Sequence, residues 1–286
     1  MRLLQSAGNI STSRITAFLE IILKPISTDF CKNCPDEFCQ DSRRYIGDLL
    51  NWEERLNKTE KTGKQKQVFR IVAADVKALY PSLCRDTETK ALECALRKHS
   101  NFNQCAKNHC QAEINLPKQC CHPIWRPVIY QKNGIVTGGN HSVSLANIAV
   151  DYILQPIAGV VREAALFSRF IDDIIWIATS KLSNENIRQA RTSAFANSGL
   201  ELTFRQACTA DQKGEVGFLD VDHCITTDKD FGFVTKDFVK PTTEGRQFTN
   251  GKSRHPHSTF KSILLGESTR LRRLNQRKED YLSSLI

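Results

Sequence analysis

Apolar residues three and four apart (Ile15, Phe18, Leu19, Ile22, Leu23) predict an amphipathic helix over Ser13–Lys24, closed by Pro25. A second helical pattern runs from Asp41 to Leu56, followed by a polar, Lys-rich loop from Asn57 to Gln67. The apolar run Val68–Ala74, ending at Asp75, reads as a buried strand. A helix from about Thr87 to Lys98 follows, with Asp86 as its N-cap and Ala91, Leu92 and Ala95 on one face. Val128–Gln131 and Gly134–Val136 suggest a hairpin around Lys132-Asn133, and a strongly apolar helix spans Val143–Leu154. Further on, a helix from Asn184 to Asn197 ends towards Gly199, and Leu200, Leu202 and Phe204 alternate as in a strand. Val216–Ile225 and Phe231–Val239 read as another hairpin.

The most informative segment is Arg169-Phe170-Ile171-Asp172-Asp173-Ile174-Ile175-Trp176-Ile177. Strand-forming residues flank the two aspartates, which puts the pair where a two-residue hairpin turn belongs. Adjacent like charges repel, and neither aspartate supplies positive φ cheaply, so the pair suggests a cation to hold it. The element order is strand (Asp75), helix, helix, hairpin (Asp172, Asp173), helix, strand. It predicts an α+β fold, a split β-α-β arrangement whose antiparallel sheet is backed by helices on one face. That order would bring Asp75 beside the hairpin tip. Three converging carboxylates suit two Mg²⁺ ions, which take hard oxygen ligands and serve in-line phosphoryl transfer.

Composition narrows the partners. The chain has 286 residues, 25% charged and 40% hydrophobic, as expected of a globular protein, with a formal net charge of +9. Between Lys236 and Lys278 there are eleven Lys/Arg against three Asp/Glu, so nearly all the excess lies in one C-terminal stretch. Such a stretch suggests a polyanion, most often nucleic acid. No window approaches the roughly 18 apolar residues of a membrane span, and the N-terminus lacks a signal-peptide layout. Eleven cysteines without that signal point to free thiols in a reducing, intracellular setting.

In their order, these motifs resemble reverse transcriptases. Asp75-Val76-Lys77-Ala78-Leu79-Tyr80 is similar to motif A and Phe170-Ile171-Asp172-Asp173 to motif C. Phe218-Leu219-Asp220-Val221, Val239-Lys240-Pro241-Thr242, His255-Pro256-His257-Ser258-Thr259-Phe260-Lys261-Ser262-Ile263 and Leu271-Arg272-Arg273-Leu274 follow the pattern of Penelope-like retroelements. Leu23-Lys24-Pro25 and Ser144-Leu145-Ala146-Asn147 fit it too.

The resemblance implies a right-hand polymerase palm over 68–240, partial fingers over 1–67, and the start of a thumb over 241–286. It implies RNA-directed DNA synthesis with two Mg²⁺ ions, Mn²⁺ being a possible substitute, on an RNA template with a DNA primer and dNTPs. The setting would be nuclear or a ribonucleoprotein particle. Asp75, Asp172 and Asp173 become the metal ligands. Arg2, Val76, Tyr80, Gln131 and Gly134 become nucleotide-binding residues, Tyr80 as the gate against a ribose 2′-hydroxyl. Gly138 would join Gln131 and Gly134 in motif B, and the hairpin at Leu219 would be the primer grip. Lys240, Lys261, Arg270, Arg272 and Arg273 become nucleic-acid contacts. Relatives carry a further fingers segment before the place of Arg2, and many a GIY-YIG nuclease after the polymerase. The reading therefore expects a fragment or degenerate copy, and an inactive nucleic-acid-binding remnant is its first alternative.

The second alternative is a zinc-stabilised RNA-binding module. Cys31, Cys34 and Cys39 form one group, and Cys105, His109, Cys110, Cys120, Cys121 and His122 another, within a polar insertion at about 101–122. The first lacks a fourth ligand and the second has irregular spacing, so free thiols are expected and zinc is not. His255 and His257 read as a structural turn, and Trp125, Trp176 and Phe260 as core or base-stacking surface.

Overall fold

The computed structural model describes residues 13–32, 37–38, 42–60, 69–99, 118–120, 129–131, 134–155, 166–179, 184–196, 198–209, 214–226, 233–239 and 252–285. Along the chain the described elements are α1 (Ser13–Lys32), β1 (Glu37–Phe38), α2 (Ser42–Glu60), β2 (Phe69–Lys77), α3 (Leu79–Ser82), α4 (Arg85–Lys98), β3 (Lys118–Cys120), β4 (Ile129–Gln131), α5 (Ser142–Leu154), β5 (Leu166–Phe170), β6 (Asp173–Thr179), α6 (Asn184–Phe195), β7 (Glu201–Cys208), β8 (Glu215–Phe218), β9 (Val221–Ile225), β10 (Phe233–Asp237), α7 (His257–Leu274) and α8 (Lys278–Ser284). The class is α+β, as the element order predicts. No described helix is long and apolar enough to cross a membrane.

The chain divides into two compact units. The first comprises Met1–Phe38, Asp75–Glu163 and Ser183–Thr203 and is mainly helical. Its centre is α5, which buries almost every residue because α1, α4 and α6 all pack on it. Helix α1 supplies Leu19, Ile22, Leu23, Ile26 and Phe30 to that core. The expected stop at Pro25 does not occur, and α1 runs through it to Lys32. A proline deprives the carbonyl four residues back of its partner, but Ile21 and Pro25 lie on the exposed side where water can serve. Burial of Ile26 and Phe30 keeps the remaining turns helical.

Two other expectations in this unit are corrected. Asp86 is not the N-cap of α4: Cys84 is, without a side-chain cap, and Asp86 sits in the first turn paired with Lys90 at 3.0 Å. The strand before Lys132 pairs not with Gly134–Val136 but with β3, in the register Lys118↔Gln131 and Cys120↔Ile129. Most of the Cys/His-rich insertion lies outside the described residues, as do Cys34, Cys39 and Trp125. Among the described residues, Cys84, Cys94 and Cys224 form no disulfide.

The second unit comprises Cys39–Ala74, Ala164–Leu182 and Phe204–Ile286. Its strands lie in the order β5–β6–β2–β7, β2 contributing through Ala74 and β7 from Phe204. A separate antiparallel sheet has the order β10–β9–β8. The expected pair of segments at 216–239 is thus three strands. One core joins these layers: Tyr45, Ile46, Leu49 and Trp52 of α2 meet Ile71, Ile175, Ile177, Val216, Phe218, Phe233 and Leu274. Trp176 is buried edge-on to Phe204, a core role. The last helices are tied to β10 through Gln276, whose N–H donates to the Thr235 carbonyl and whose Oε1 accepts from the Thr235 N–H.

His223 of β9 is fully buried, its Nδ1 3.0 Å from the Val216 carbonyl and its Nε2 2.6 Å from the Tyr45 hydroxyl. A neutral ring donating through Nδ1 and accepting through Nε2 satisfies both contacts. Burial lowers its pKa from 6.5 to about 4. Neighbouring Asp222 is pushed the other way, up to about 6, by burial and then by Glu215.

The two act oppositely on stability. As pH falls from 6.5 to 4 the unfolded chain protonates His223 first, costing the fold about 3 kcal/mol. Over about pH 4–6 the folded chain holds the Asp222 proton more tightly, which favours the fold as pH falls. The second effect opposes the first. Asp222→Asn should therefore expose the histidine, steepening the loss of urea stability between pH 6.5 and 4.5. A profile unchanged from wild type would contradict this.

Candidate active site

In the first unit, β2 delivers Asp75, partly exposed, then Val76, fully buried. The chain turns at Ala78, whose φ of 50° and ψ of 44° are left-handed, into the single turn α3 carrying Tyr80. Backbone from two other segments grips that turn. The Gly134 N–H donates to the Leu83 carbonyl at 2.8 Å, and the Ile135 N–H to the Tyr80 carbonyl at 2.6 Å. The Cys84 N–H donates to the Ser198 carbonyl at 3.2 Å. These bonds explain why the apolar Gly134–Val136 stretch is not a strand: its donors are spent on α3.

Gly134 has φ +84°, and a Cβ there would stand 2.4 Å from the Tyr80 carbonyl oxygen and 2.6 Å from that of Pro81. The glycine's close approach is thus to the chain's own backbone. Beyond it, the Ser142 hydroxyl donates to the Val136 carbonyl and the Ser142 N–H to that of Gly139, closing Thr137–Asn140 onto the start of α5. Ala78→Gly should raise stability by about 0.5–1 kcal/mol. Relief of the left-handed strain exceeds the entropy glycine adds to the unfolded chain. Chemical denaturation of the two proteins reads it, and a lower midpoint would contradict it.

In the second unit, β5 and β6 pair with Phe170↔Asp173 opposed. The two turn residues are therefore Ile171 and Asp172, while Asp173 heads β6. The expectation that both aspartates occupy the turn is off by one residue. Ile171 has φ +53°, a costly conformation for a β-branched residue. Its carbonyl accepts a 3.0 Å bond from Nη1 of Arg169, which is 0% exposed. Asp172 and Asp173 are partly exposed.

The β8–β9 hairpin repeats the device. Phe218 opposes Val221, and the turn is Leu219 at φ +56° followed by Asp220. Glycine is the usual residue at such a first position. Ala78, Ile171 and Leu219 are the described non-glycine residues with positive φ. Each lies in a motif singled out by sequence, and strain of this kind concentrates at functional loops.

The predicted cations meet different surroundings. The Arg270 guanidinium is bidentate to Glu267, at 2.9 and 2.7 Å, with Asp220 3.6 Å away. Arg272 and Arg273 line a groove between α2 and α7. Lys261 is exposed near the start of α7. His255 packs edge-on to Phe260 just before that helix, consistent with a structural turn. Gln131 ends β4, and Arg2 and Lys240 lie outside the described residues. The Asp220–Arg270–Glu267 cluster was missed as a unit. Its signal was the likeness of Phe218-Leu219-Asp220 to Phe170-Ile171-Asp172.

Among the described residues, no three His, Cys, Asp or Glu side chains are gathered as a metal ion would require. As a donor set Asp75, Asp172 and Asp173 would offer hard carboxylate oxygen, the ligand type that Mg²⁺ takes.

No family model matches the chain, and no curated protein does. Solved structures do. A telomerase from Candida albicans, in complex with a TWJ fragment of telomeric RNA, superposes with a TM-score of 0.63 at 13% identity, covering 91% of this chain and 42% of that one. Apo telomerase from Candida tropicalis gives 0.57 at 14% identity, covering 72% and 38%. An RdRp complex gives 0.50 at 14%, covering 72% and 19%. The chain thus spans about two fifths of the telomerase chains. Its α+β fold is the polymerase fold that telomerase and RdRp share.

Proposed function

We propose that the chain is the reverse-transcriptase domain of a Penelope-like retroelement, extending a DNA primer on an RNA template with dNTPs. The observation that carries this is the β5–β6 hairpin. A strained Ile171, anchored by buried Arg169, presents Asp172 in the turn and Asp173 at the strand head, within a polymerase fold.

Asp75, Asp172 and Asp173 would hold two Mg²⁺ ions, or Mn²⁺ in their place. Those ions, when bound, offset phosphate charge and favour attack by the primer 3′-hydroxyl. The chain's own residues do the positioning. Val76 offers backbone, its side chain being buried. Gly134 and Ile135 fix the turn that carries Tyr80, so that its ring can exclude a ribose 2′-hydroxyl. Lys261, exposed on α7, would meet duplex phosphates.

Primer extension with dNTPs on an RNA template tests this reading. Extension is expected, whereas binding without extension would leave the inactive remnant. Tyr80→Ala is expected to raise ribonucleotide incorporation relative to dNTPs by about tenfold or more. An unchanged ratio would remove Tyr80 from the gate.

A further inference from the structure

Within the second unit, α2 and α7 enclose a groove of about 1290 Å³. That exceeds the roughly 300–1,000 Å³ of small-molecule sites. Ser262 to Leu274 of α7 line it over about 18 Å of helix. Two features of its walls have no use inside the molecule. Gly47 of α2 and Gly266 of α7 are helix-interior glycines, each unfavourable relative to alanine. A Cβ at either would meet nothing within 4 Å. Packing therefore requires neither glycine, and both leave the groove open to close approach.

The second feature is its chemistry. Leu50 and Leu265 line the groove while 48% and 59% exposed. Around them stand Arg43, Arg272 and Arg273, none paired with a carboxylate among the described residues. The one acid in the lining, Glu267, is occupied by Arg270.

We infer that this groove is a docking site for an acidic amphipathic helix of a protein partner. Apolar side chains of the partner would cover Leu50 and Leu265, its backbone would approach Gly47 and Gly266, and its carboxylates would meet the three arginines. The pattern suits a peptide better than a nucleic-acid strand, which would leave the leucines uncovered and prefer cations along the whole track. The inference does not depend on polymerase activity.

A displayed library of helical peptides tests it, with leucine fixed on one face and the other face randomised, selected on the full-length protein. Enriched sequences should carry net negative charge. Their affinity should fall by about tenfold or more with Gly266→Trp, which fills the groove, and with Arg272→Glu/Arg273→Glu. It should survive Gly266→Ala, and thermal melts of each variant exclude unfolding as the cause. A labelled single-stranded oligonucleotide should bind Gly266→Trp as it binds wild type. Enriched peptides that are neutral or basic, or insensitive to Gly266→Trp, would overturn the proposal. So would loss of oligonucleotide binding in that variant, which would make the groove a nucleic-acid track.

Discussion

Replacing Gly134 with alanine should cost about 3 kcal/mol of stability or more. The added Cβ would lie 2.4 Å from the Tyr80 oxygen and 2.6 and 2.7 Å from the Pro81 oxygen and carbon, all backbone atoms that no rotamer change can move. Positive φ, here +84°, adds a penalty for any side chain. Relief by withdrawal would break the 2.8 Å bond to Leu83 and the 2.6 Å bond from Ile135 to Tyr80. A denaturation midpoint close to wild type would show that the loop can give way. In contrast, Gly266→Ala has open space and a helical backbone, so it should be neutral or slightly stabilising. The same substitution at two glycines thus separates a packing constraint from a surface one.

Much of this architecture was legible in the chain. Phe69–Ala74 of the expected strand lies in β2, which runs past Asp75 to Lys77, the strongly apolar run became the buried α5, and the strand-forming residues on both sides of the aspartates gave β5 and β6. What pattern could not reveal was mostly set by tertiary contacts. Pro25 reads as a stop, yet Ile26 and Phe30 are buried at 1% and 4% exposure and carry the helix past it. Gly134–Val136 has the apolar look of a strand, but its N–H groups serve the carbonyls of Leu83 and Tyr80. The turn slipped by one residue because Ile171, a β-branched residue, takes the position where glycine belongs. Its support, an arginine buried within an apolar strand, has no signature in residue spacing.

Asp172→Asn and Asp173→Asn should each lower primer extension by about a thousandfold or more. Both residues are partly exposed, at or beside a turn held by Arg169, so folding should tolerate the loss of either charge. An amide keeps the shape and one oxygen but loses the negative charge that a hard divalent cation selects. Asp75→Asn should fall as far. It lies one residue before fully buried Val76, and its substitution leaves the backbone grip on α3 untouched.

Asp172 and Asp173 either serve chemistry or merely sit in an acidic hairpin. Mg²⁺-dependent extension of a DNA primer on an RNA template, wild type beside Asp172→Asn and Asp173→Asn, decides it. Extension by wild type that both substitutions abolish, with melting temperatures retained, is the predicted result. Equal extension by all three proteins, or none by wild type at any Mg²⁺ or Mn²⁺ concentration, would contradict it.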